Sequence, residues 1–436
     1  MSLTEDLIDL IRNKPVTPAD LEDAALFTLD AVATAYAGSA TPVGAILREW
    51  AARGELDLKR RAFLMGALTH ITETDDLHRA SVTHPGCVVI PAVLSLGEKT
   101  VANGEQMLRA ILHGFEAMCR IGAGVGPAHY RIWHNTATCG PFGSAMAAAT
   151  LLEIDDEQAL HALGNAGTQS SGLWQFMESG AMSKHLHAGR ASESGLLAAE
   201  MAACGFTGPA EILEGKKGFF AGTCDDPEPD NILSDPQSKW QLSLTSIKPW
   251  PSCRHTHPII DCALDIHPLL GDKRVREVSI KTYQAALDVC DYPAPETEYQ
   301  AKFSLYHCAA IALLDGAVGL DSFDANARSR SADLRSATEI QIVDPYQSNY
   351  PASWGAEVTA ISESGESFKV SRKDCKGDPE LALDVDEMRQ KAMGLLQYGG
   401  LDEARSNQLC DDILSLPARR ESPPLFTHFM HHIGIV

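Results

Sequence analysis

The sequence predicts a mostly α-helical protein with an inserted α+β domain. Alanine and other apolar residues recur at helical spacing through the first half of the chain, strand-like alternation begins near residue 275, and helical spacing returns at 402–415. A chain of 436 residues is too long for one ordinary core. We therefore expect a large helical domain built from both chain ends, residues 1–246 and 391–436, and a smaller α+β domain at 247–390.

Four segments of the first half are predicted to be helices, at 21–37, 60–72, 106–121 and 141–152. Two stretches, GPFGSAMAAATLL and GLLAAEMAAC, are crowded with small residues. Alanine favours helices by itself, but glycine weakens them, so the glycines indicate a packing reason. We expect both helices to lie inside a packed bundle.

The α+β segment is predicted from alternating β-branched residues. Strands are expected at 275–287 and 337–344. In 355–374 two strand-like runs flank the turn Ser364-Gly365-Glu366, which predicts a hairpin. A helix is expected between these strands, at 303–318.

Composition and charge restrict the partners. With 58 Asp+Glu against 36 Lys+Arg the net charge is -22, which disfavours nucleic acid and anionic membranes but allows a small anion in a local basic pocket. The eleven cysteines are scattered without a C-x-x-C pair, which favours reduced thiols over disulfides, cysteine-held zinc or iron–sulfur clusters. Without a long apolar run or a basic, apolar leader, we expect a cytoplasmic protein that binds no metal.

Two segments place a histidine beside the start of a predicted helix. In ETDDLHRASVTHPG, Pro85 suits the first helical turn, so His84 would lie where free N–H groups favour an anion. In RIWHNTATCGPFGSA, His134 lies in a polar loop, and imidazole suits proton transfer near neutral pH. An acidic loop with a capping threonine and a purely structural histidine are the alternatives.

The segment SKHLHAGRAS concentrates positive charge in an acidic chain. Lys184 is expected in a loop, Gly180–Ser183, or at its margin, and a helix is expected from Ala188 onward. His187 and Arg190 are three residues apart and would share a helix face. The alternative is a solvated basic turn, although the neighbouring small residues indicate tight packing.

The segment SIKPWPSCRHTHPIID stands at the predicted domain junction, where ligand clefts are common. It carries Lys248 and Arg254, and the neighbouring arginine would lower the pKa of Cys253. A proline-rich structural linker is the alternative.

Together these segments fit proton removal beside a carboxylate. The candidates are His84, His134, Lys184, Lys248 and Arg254. Such a proton is very weakly acidic, so the developing negative charge needs preorganised cations. Departure of a β-hydroxyl would also need a general acid.

Five stretches between about residues 70 and 316 carry a family resemblance. They are DDLHRASVTHPGCVVIPAVLSLGE, WHNTATCGPFGSAMAAATLLEID, SGLWQFMESGAMSKHLHAGRASESGLLAAEMAACGFTGPAEILEGKKGF, KPWPSCRHTHPIIDCAL and KFSLYHCAAIALLDG. In this order they resemble the MmgE/PrpD family, which includes 2-methylcitrate dehydratase, cis-aconitate decarboxylase and iminodisuccinate epimerase.

The resemblance implies a helical domain with an inserted lid domain, an active site between the two, a homodimer, and catalysis without metal or another cofactor. The residues that it makes catalytic are His84, His134, Lys184, Lys248, Asp75, Asp76 and Tyr306. The residues expected to bind or border the substrate are Lys184, Lys248, Arg254, Cys253, His255, His78 and Arg190.

Two departures from the family pattern fall at substrate-contacting positions. Cys253 stands where the decarboxylase and methylcitrate dehydratase types carry a histidine. The acidic loop continues from Asp76 to Leu77 and His78, where the family typically has Asp-Asp-Thr. These departures reduce the case for methylcitrate or cis-aconitate itself as the substrate.

The leading hypothesis is a metal-independent lyase, of the 2-methylcitrate dehydratase type, acting on a small di- or tricarboxylate. One alternative is an epimerase in which His84 and His134 are bases on opposite faces of the substrate. Others are a cis-aconitate decarboxylase-like enzyme and a catalytically silent, polycarboxylate-binding dimer. An aconitase-like mechanism is disfavoured because paired cysteines for a cluster are missing.

Overall fold

A computed structural model describes residues 2–421 and 423–435. Met1 and Val436, which end the predicted domain ranges, lie outside the described residues. The chain is 60% helix and 8% strand, which confirms a mostly helical protein with an α+β portion. It forms two compact units: the helical unit holds residues up to Ile71, Asp75–Ser246 and residues from Asp384 on, and the α+β unit holds Thr72–Thr74 and Ile247–Leu383.

Twelve helices precede the α+β unit in the described part of the chain. They are α1 (Leu3–Asn13), α2 (Pro18–Ser39), α3 (Pro42–Ala51), α4 (Leu58–Thr69), α5 (Gly86–Thr100), α6 (Gly104–Gly124), α7 (Asn135–Leu151), α8 (Asp156–Gly167), α9 (Phe176–Ser179), α10 (Ser183–Ala203), α11 (Phe219–Thr223) and α12 (Asp230–Leu233). Two short strands, β1 (Leu77–His78) and β2 (Thr245–Ser246), pair antiparallel. The predicted helices at 21–37, 60–72, 106–121 and 141–152 are confirmed as α2, α4, α6 and α7.

Local side chains determine where several of these helices begin. At α1, α6 and α8 the residue before the helix accepts a hydrogen bond from the third helical N–H, and the third side chain accepts one in return. Such capping boxes satisfy amide groups that have no partner inside the helix. The structure therefore begins these helices where the sequence supplies Ser2, Asn103 and Asp155.

Glycine brings the main chains of three helices of the helical unit together. A Cβ added at Gly195 of α10 would lie 2.2 Å from the carbonyl oxygen of Pro141 in α7. A Cβ at Gly189 would lie 2.6 Å from the carbonyl oxygen of Phe63 in α4. Real Cβ atoms are not found so close to backbone, so only glycine fits. The prediction that the small-residue helices lie in a packed bundle is confirmed.

The α+β unit contains a four-stranded sheet. Its strands are β3 (Val275–Thr282), β4 (Thr338–Ile342), β5 (Ala356–Ser362) and β6 (Ser367–Arg372), in the order β4-β3-β5-β6. β3 pairs parallel with β4 and antiparallel with β5, while β5 and β6 form the predicted hairpin. Its helices are α13 (His257–Leu270), α14 (Gln284–Cys290), α15 (Glu298–Lys302), α16 (Leu305–Asp315), α17 (Ala325–Arg330), α18 (Ala332–Ser336) and α19 (Tyr346–Asn349).

Two predicted elements differ in extent from the structure. The strand expected at 275–287 ends at Thr282, because α14 begins at Gln284. The helix expected at 303–318 covers only Leu305–Asp315. Ser304 starts it by accepting a hydrogen bond from the His307 N–H, and Gly316, with φ 64°, ends it.

The chain returns to the helical unit through α20 (Val385–Tyr398), α21 (Glu403–Leu414) and α22 (Leu425–His432). The helix predicted at 402–415 is confirmed as α21. Short 3₁₀ helices lie at His129–Arg131, Gln241–Leu244, Arg254–Thr256, Leu320–Phe323, Pro379–Leu381 and Leu416–Ala418. No helix in residues 2–421 or 423–435 has the length and apolar character needed to cross a membrane.

Candidate active site

Four imidazole rings gather in the helical unit, and we call His70, His84, His134 and His187 the histidine cluster. The ring centre of His70 lies 4.8 Å from that of His84 and 5.7 Å from that of His134. The ring centres of His134 and His187 are 5.5 Å apart. The structure thus brings the predicted His84 and His134 together around His70, and adds His187, which the sequence left without a role.

His70 follows α4 directly and is tied to the acidic loop. Its Nδ1 lies 2.5 Å from Oδ2 of Asp75, and both side chains are buried. The Nδ1 of His185, in α10, lies 3.0 Å from the main-chain oxygen of His70. Because a carbonyl oxygen only accepts, His185 donates this bond and fixes the end of α4 to α10.

His84 is oriented by the second aspartate of the loop. Its Nδ1 lies 2.5 Å from the main-chain oxygen of Asp76 and 3.4 Å from Oδ2 of Asp75. The carbonyl can only accept, so Nδ1 of His84 donates to it and the orientation of the ring is fixed.

The helix N-terminus beside His84 already holds an anion. Both carboxylate oxygens of Asp76 lie 3.0 Å from the main-chain nitrogen of Gly86, the first residue of α5. Pro85, expected in the first helical turn, is the residue before the helix. The anion favoured at this helix end is thus the carboxylate of Asp76, which stabilises the loop that carries His84.

His134 immediately precedes α7, which begins at Asn135 rather than at the predicted residue 141. Its main-chain N–H donates to the carbonyl oxygen of Gly172 over 3.0 Å, and its ring packs against Trp174 with centres 4.7 Å apart. Burial, followed by the positive charges of His70 and Lys184, lowers the pKa of His134 well below its usual value. His134 is therefore neutral at neutral pH and able to accept a proton.

Lys184 lies in the first turn of a helix, which corrects the predicted loop. α10 begins at Ser183 rather than at Ala188, and the Lys184 side chain is buried. A lysine in a first helical turn faces the positive end of the helix dipole, so it gains nothing from the helix itself. Its charge lowers the pKa of His134 and of His187, which places an ammonium group near both rings.

Two residues expected at the substrate have their partners elsewhere in the helical unit. The Arg190 side chain is 51% exposed and pairs with Glu193 over 2.6 Å. His78 lies in β1, and its Nδ1 is 2.8 Å from Oγ of Ser81. Burial lowers the pKa of His78 to about 4. A role of either residue at the substrate stays a prediction.

In the α+β unit, Lys248 forms a buried ion pair. Its Nζ lies 3.4 Å from Oε2 of Glu73 and 3.2 Å from the main-chain oxygen of the same residue. The two side chains are 1% and 2% exposed. Glu73 holds a left-handed backbone conformation with φ 60°, which is unusual for a residue with a side chain. The structure thus pairs the predicted Lys248 with Glu73, an acidic residue that the sequence analysis did not select.

Cys253 is half-buried and pairs with a second thiol. A hydrogen bond from Cys290 is the main cause of a lowered Cys253 pKa, and the charge of Lys248 contributes. Burial raises the pKa of Cys290, which keeps that thiol protonated as the donor. The expected lowering is therefore present, but a thiol rather than Arg254 is its main cause.

The other predicted residues of the α+β unit are engaged within that unit. Arg254 is buried, and its Nη2 lies 2.5 Å from Oδ1 of Asp378. The ring of His255 stacks on Trp354 with centres 4.3 Å apart, and its Nδ1 lies 2.8 Å from the hydroxyl of Tyr283. The hydroxyl of Tyr306 donates to Asp291 over 3.0 Å. Their roles in substrate binding or catalysis stay predictions.

Three neighbouring side chains, two of them from the histidine cluster, have the composition of a metal site. Donor atoms of His70, Asp75 and His84 all lie within 4.8 Å of one another. The His70–Asp75 separation of 2.5 Å is that of a hydrogen bond, since two ligands of a tetrahedral zinc would be about 3.3 Å apart. The arrangement as it stands is a hydrogen-bonded His70–Asp75 pair with the ring of His84 beside it.

Comparison with known proteins identifies the family of this chain. The MmgE/PrpD N-terminal domain matches residues 6–231 and the MmgE/PrpD C-terminal domain matches residues 250–416. The cis-aconitate decarboxylase-like protein oryM of Aspergillus oryzae is 24% identical over 81% of this chain and 79% of its own length.

Two further relatives are cis-aconitate decarboxylases by name. That of Aspergillus terreus is 26% identical over 60% of this chain and 58% of its own length. The cis-aconitate decarboxylase of Mus musculus is 24% identical over 76% of this chain and 70% of its own length. The two matches together cover most of the chain. This chain belongs to the MmgE/PrpD family.

Proposed function

We propose that this protein is a lyase of the dehydratase type that removes a proton beside a carboxylate of a small di- or tricarboxylate. The observation that carries the proposal is the pairing of neutral imidazole with buried ammonium. His134 is kept neutral, and a cause of this is the charge of Lys184. A neutral base beside a cation is what proton removal from an anionic substrate requires.

Binding of the substrate would strengthen the base. A carboxylate placed against Lys184 would offset the positive charge that lowers the pKa of His134. The proton affinity of His134 would then rise only when substrate is present. Exclusion of water by the substrate would strengthen the attraction between Lys184 and the developing negative charge.

The remaining residues of the histidine cluster receive supporting roles in this proposal. His84, with Nδ1 held by Asp76, would take a proton from solvent at Nε2 before each cycle and donate it to the departing hydroxyl, which leaves as water. Asp75 would orient His70 and balance its charge. Lys248 keeps the carboxylate-binding role that the family resemblance implies.

A decarboxylase is the second candidate, because the relatives described above are cis-aconitate decarboxylases or similar to them by name. Loss of carbon dioxide leaves a carbanion that must be protonated, and the same imidazoles could supply the proton. Identities of 24% to 26% do not carry a substrate from one protein to another.

The test is turnover by the full-length protein, followed by proton NMR in heavy water. The panel contains 2-methylcitrate, citrate, cis-aconitate and hydroxylated dicarboxylates. A dehydratase gives new olefinic signals with loss of the hydroxyl, and a decarboxylase gives carbon dioxide. Deuterium entering the substrate without an olefin would identify an epimerase and overturn the lyase proposal, and tight binding without any exchange would identify a silent binding protein.

Matched variants assign the activity to the site. His134→Ala and Lys184→Ala should each lower kcat/KM by about 10²-fold or more. Arg109→Ala, at an exposed arginine of α6 that pairs with Glu105, should leave kcat/KM within a few-fold of wild type. Equal losses in all three variants would show that the effect is not specific to the histidine cluster.

A further inference from the structure

We infer that His187 is a positioning residue that passes protons between His134 and the solvent of an adjoining cavity. The inference rests on the proposed role of His134 as the base. It adds a residue to which neither the sequence analysis nor the comparisons give a role.

The two rings are joined through their Nδ1 atoms, which lie 3.2 Å apart. In such a bond one Nδ1 donates and the other accepts. Each neutral ring carries one proton, so the ring that accepts at Nδ1 must hold its proton on Nε2. The pair therefore has two tautomeric arrangements that differ only in which ring donates.

The two arrangements correspond to the base and acid forms of His134. When His134 donates through Nδ1, its Nε2 has a lone pair and can take a proton from substrate. In the same concerted step the Nδ1 proton of His134 moves to Nδ1 of His187, and the Nε2 proton of His187 leaves to water. One proton enters at His134 and one leaves at His187, so both rings stay neutral before and after the transfer. The reverse sequence returns a proton to the substrate or to a leaving group.

Burial supports this neutral relay. His134 is 2% exposed, and burial is the largest cause of its lowered pKa. Burial, then the charges of His70 and Lys184, lowers the pKa of His187 to about 4. An imidazolium is therefore disfavoured at either ring, and concerted transfer of the protons avoids it.

A cavity of about 670 Å³ gives the ring of His187 access to solvent. It lies within the helical unit and is lined by His187, Arg190, Leu186, Leu173, Phe176 and Trp133 among others. Leu173 and Leu186 are about half exposed, at 51% and 48%, so the cavity lies at the surface of that unit. His187 is half-buried, whereas His134 is buried. The proton path thus runs from the buried ring to the more exposed ring.

Substitutions separate a relay from a structural contact. His187→Asn keeps a polar side chain for Nδ1 of His134 but cannot exchange tautomers, and His187→Ala leaves a space that opens on the cavity. We expect kcat to fall about 10²-fold in both variants with KM within a few-fold of wild type. Leu186→Ala, which changes the neighbouring residue on the same cavity, should retain wild-type kcat.

Chemical rescue and the pH profile provide readouts that a structural role would not change. Added imidazole should restore at least a tenth of wild-type kcat to His187→Ala but not to His187→Asn, whose side chain fills the space. The pH dependence of kcat should change in both variants. Wild-type kcat in His187→Asn, or no rescue of His187→Ala at any imidazole concentration, would overturn the relay.

A measurement without substrate separates this inference from the proposed function. If no compound of the panel is turned over, the proposed function fails, but the relay is still tested by NMR of full-length protein with ¹⁵N-labelled histidine. Exchange of the His134 ring N–H with solvent should be at least ten-fold slower in His187→Asn than in wild type. Equal exchange rates would overturn the relay independently of any activity.

Discussion

Asp75 and His70 form a buried hydrogen bond in which Nδ1 of the histidine lies 2.5 Å from Oδ2 of the aspartate. An ionised carboxylate only accepts, so Nδ1 of His70 donates this bond. Within the described part of the chain, Nε2 of His70 is buried and has no hydrogen-bond partner. A buried polar atom without a hydrogen bond costs free energy, so this ring is held in place at an energetic cost.

The first prediction is that Asp75→Asn abolishes most activity without unfolding the protein. Asparagine carries no negative charge, so His70 would lose the carboxylate that orients its ring. We expect kcat to fall about 10²- to 10⁴-fold in steady-state kinetics. Asp156→Asn, at an exposed aspartate paired with Arg12, is the control and should be unchanged. A kcat within three-fold of wild type in Asp75→Asn would contradict this role.

The second prediction concerns the charge of Lys184. Because that charge lowers the pKa of His187, Lys184→Met should raise this pKa from about 4 towards the usual 6.5. Histidine NMR over a pH series measures the change. Arg190→Met removes an exposed charge from the same helix and should leave the His187 pKa where it is. An unchanged pKa in Lys184→Met would show that the ammonium group lies away from the ring.

The third prediction is that Glu73 and Lys248 are energetically coupled. Both side chains are buried, so removing one partner leaves an uncompensated charge that costs about 3–5 kcal/mol of unfolding free energy. We expect losses of this size for Glu73→Gln and Lys248→Met separately. The double variant should lose clearly less than the sum of the two in urea unfolding. Additive losses would mean that the two charges act independently.

The fourth prediction is that stability falls in mild acid. Burial lowers the pKa of His113 to about 3, whereas in the unfolded chain it is near 6.5. Between these values the unfolded state binds more protons, so the unfolding free energy falls as the pH is lowered through this range. Above pH 6.5 this contribution is fully present and constant.

Replacement of His113 tests that pH dependence. His113→Gln should reduce the slope of unfolding free energy between pH 6.5 and 4 by up to about 1.4 kcal/mol per pH unit. Urea unfolding at several pH values gives the slope. The same slope in wild type and variant would show that His113 does not titrate differently in the two states.

The fifth prediction concerns the glycine contact between α7 and α10. Gly195→Ala would place a Cβ 2.2 Å from a main-chain oxygen, so the helices would have to separate. We expect a loss of about 1–3 kcal/mol or more in unfolding free energy. Gly222→Ala is the control, because an added Cβ there meets nothing within 4 Å. A variant at Gly195 as stable as that control would contradict the close packing.

Helical spacing and turn residues predicted much of the fold because they act locally. The turn at Gly365, with φ 83°, lies in the hairpin that the sequence predicted. The predicted element ends were wrong where only a few residues carried the sequence pattern. The apolar run after Thr282 continues the strand pattern, but Gln284 begins a helix. α10 begins five residues earlier than Ala188, since burial of Lys184 and His185 depends on the packing around them.

Only part of the histidine cluster could be found in the sequence. His84 and His134 each precede a predicted helix, and that position made them candidates for the site. His70 follows an ordinary helix, and its one signal is an aspartate five residues later. Glu73 and Lys248 are 175 positions apart along the chain. No local pattern connects such pairs, because tertiary packing alone brings them together.

The glycine contacts also determine how the site can change in evolution or design. α10 meets the main chain of α4 at Gly189 and that of α7 at Gly195, and His70, His134 and Lys184 stand at the ends of these three helices. The spacing of these three side chains is thus built into backbone rather than into adjustable side chains. In the proposed lyase, new substrates would have to be accommodated by the loops around this frame, while the spacing of the three side chains stays the same.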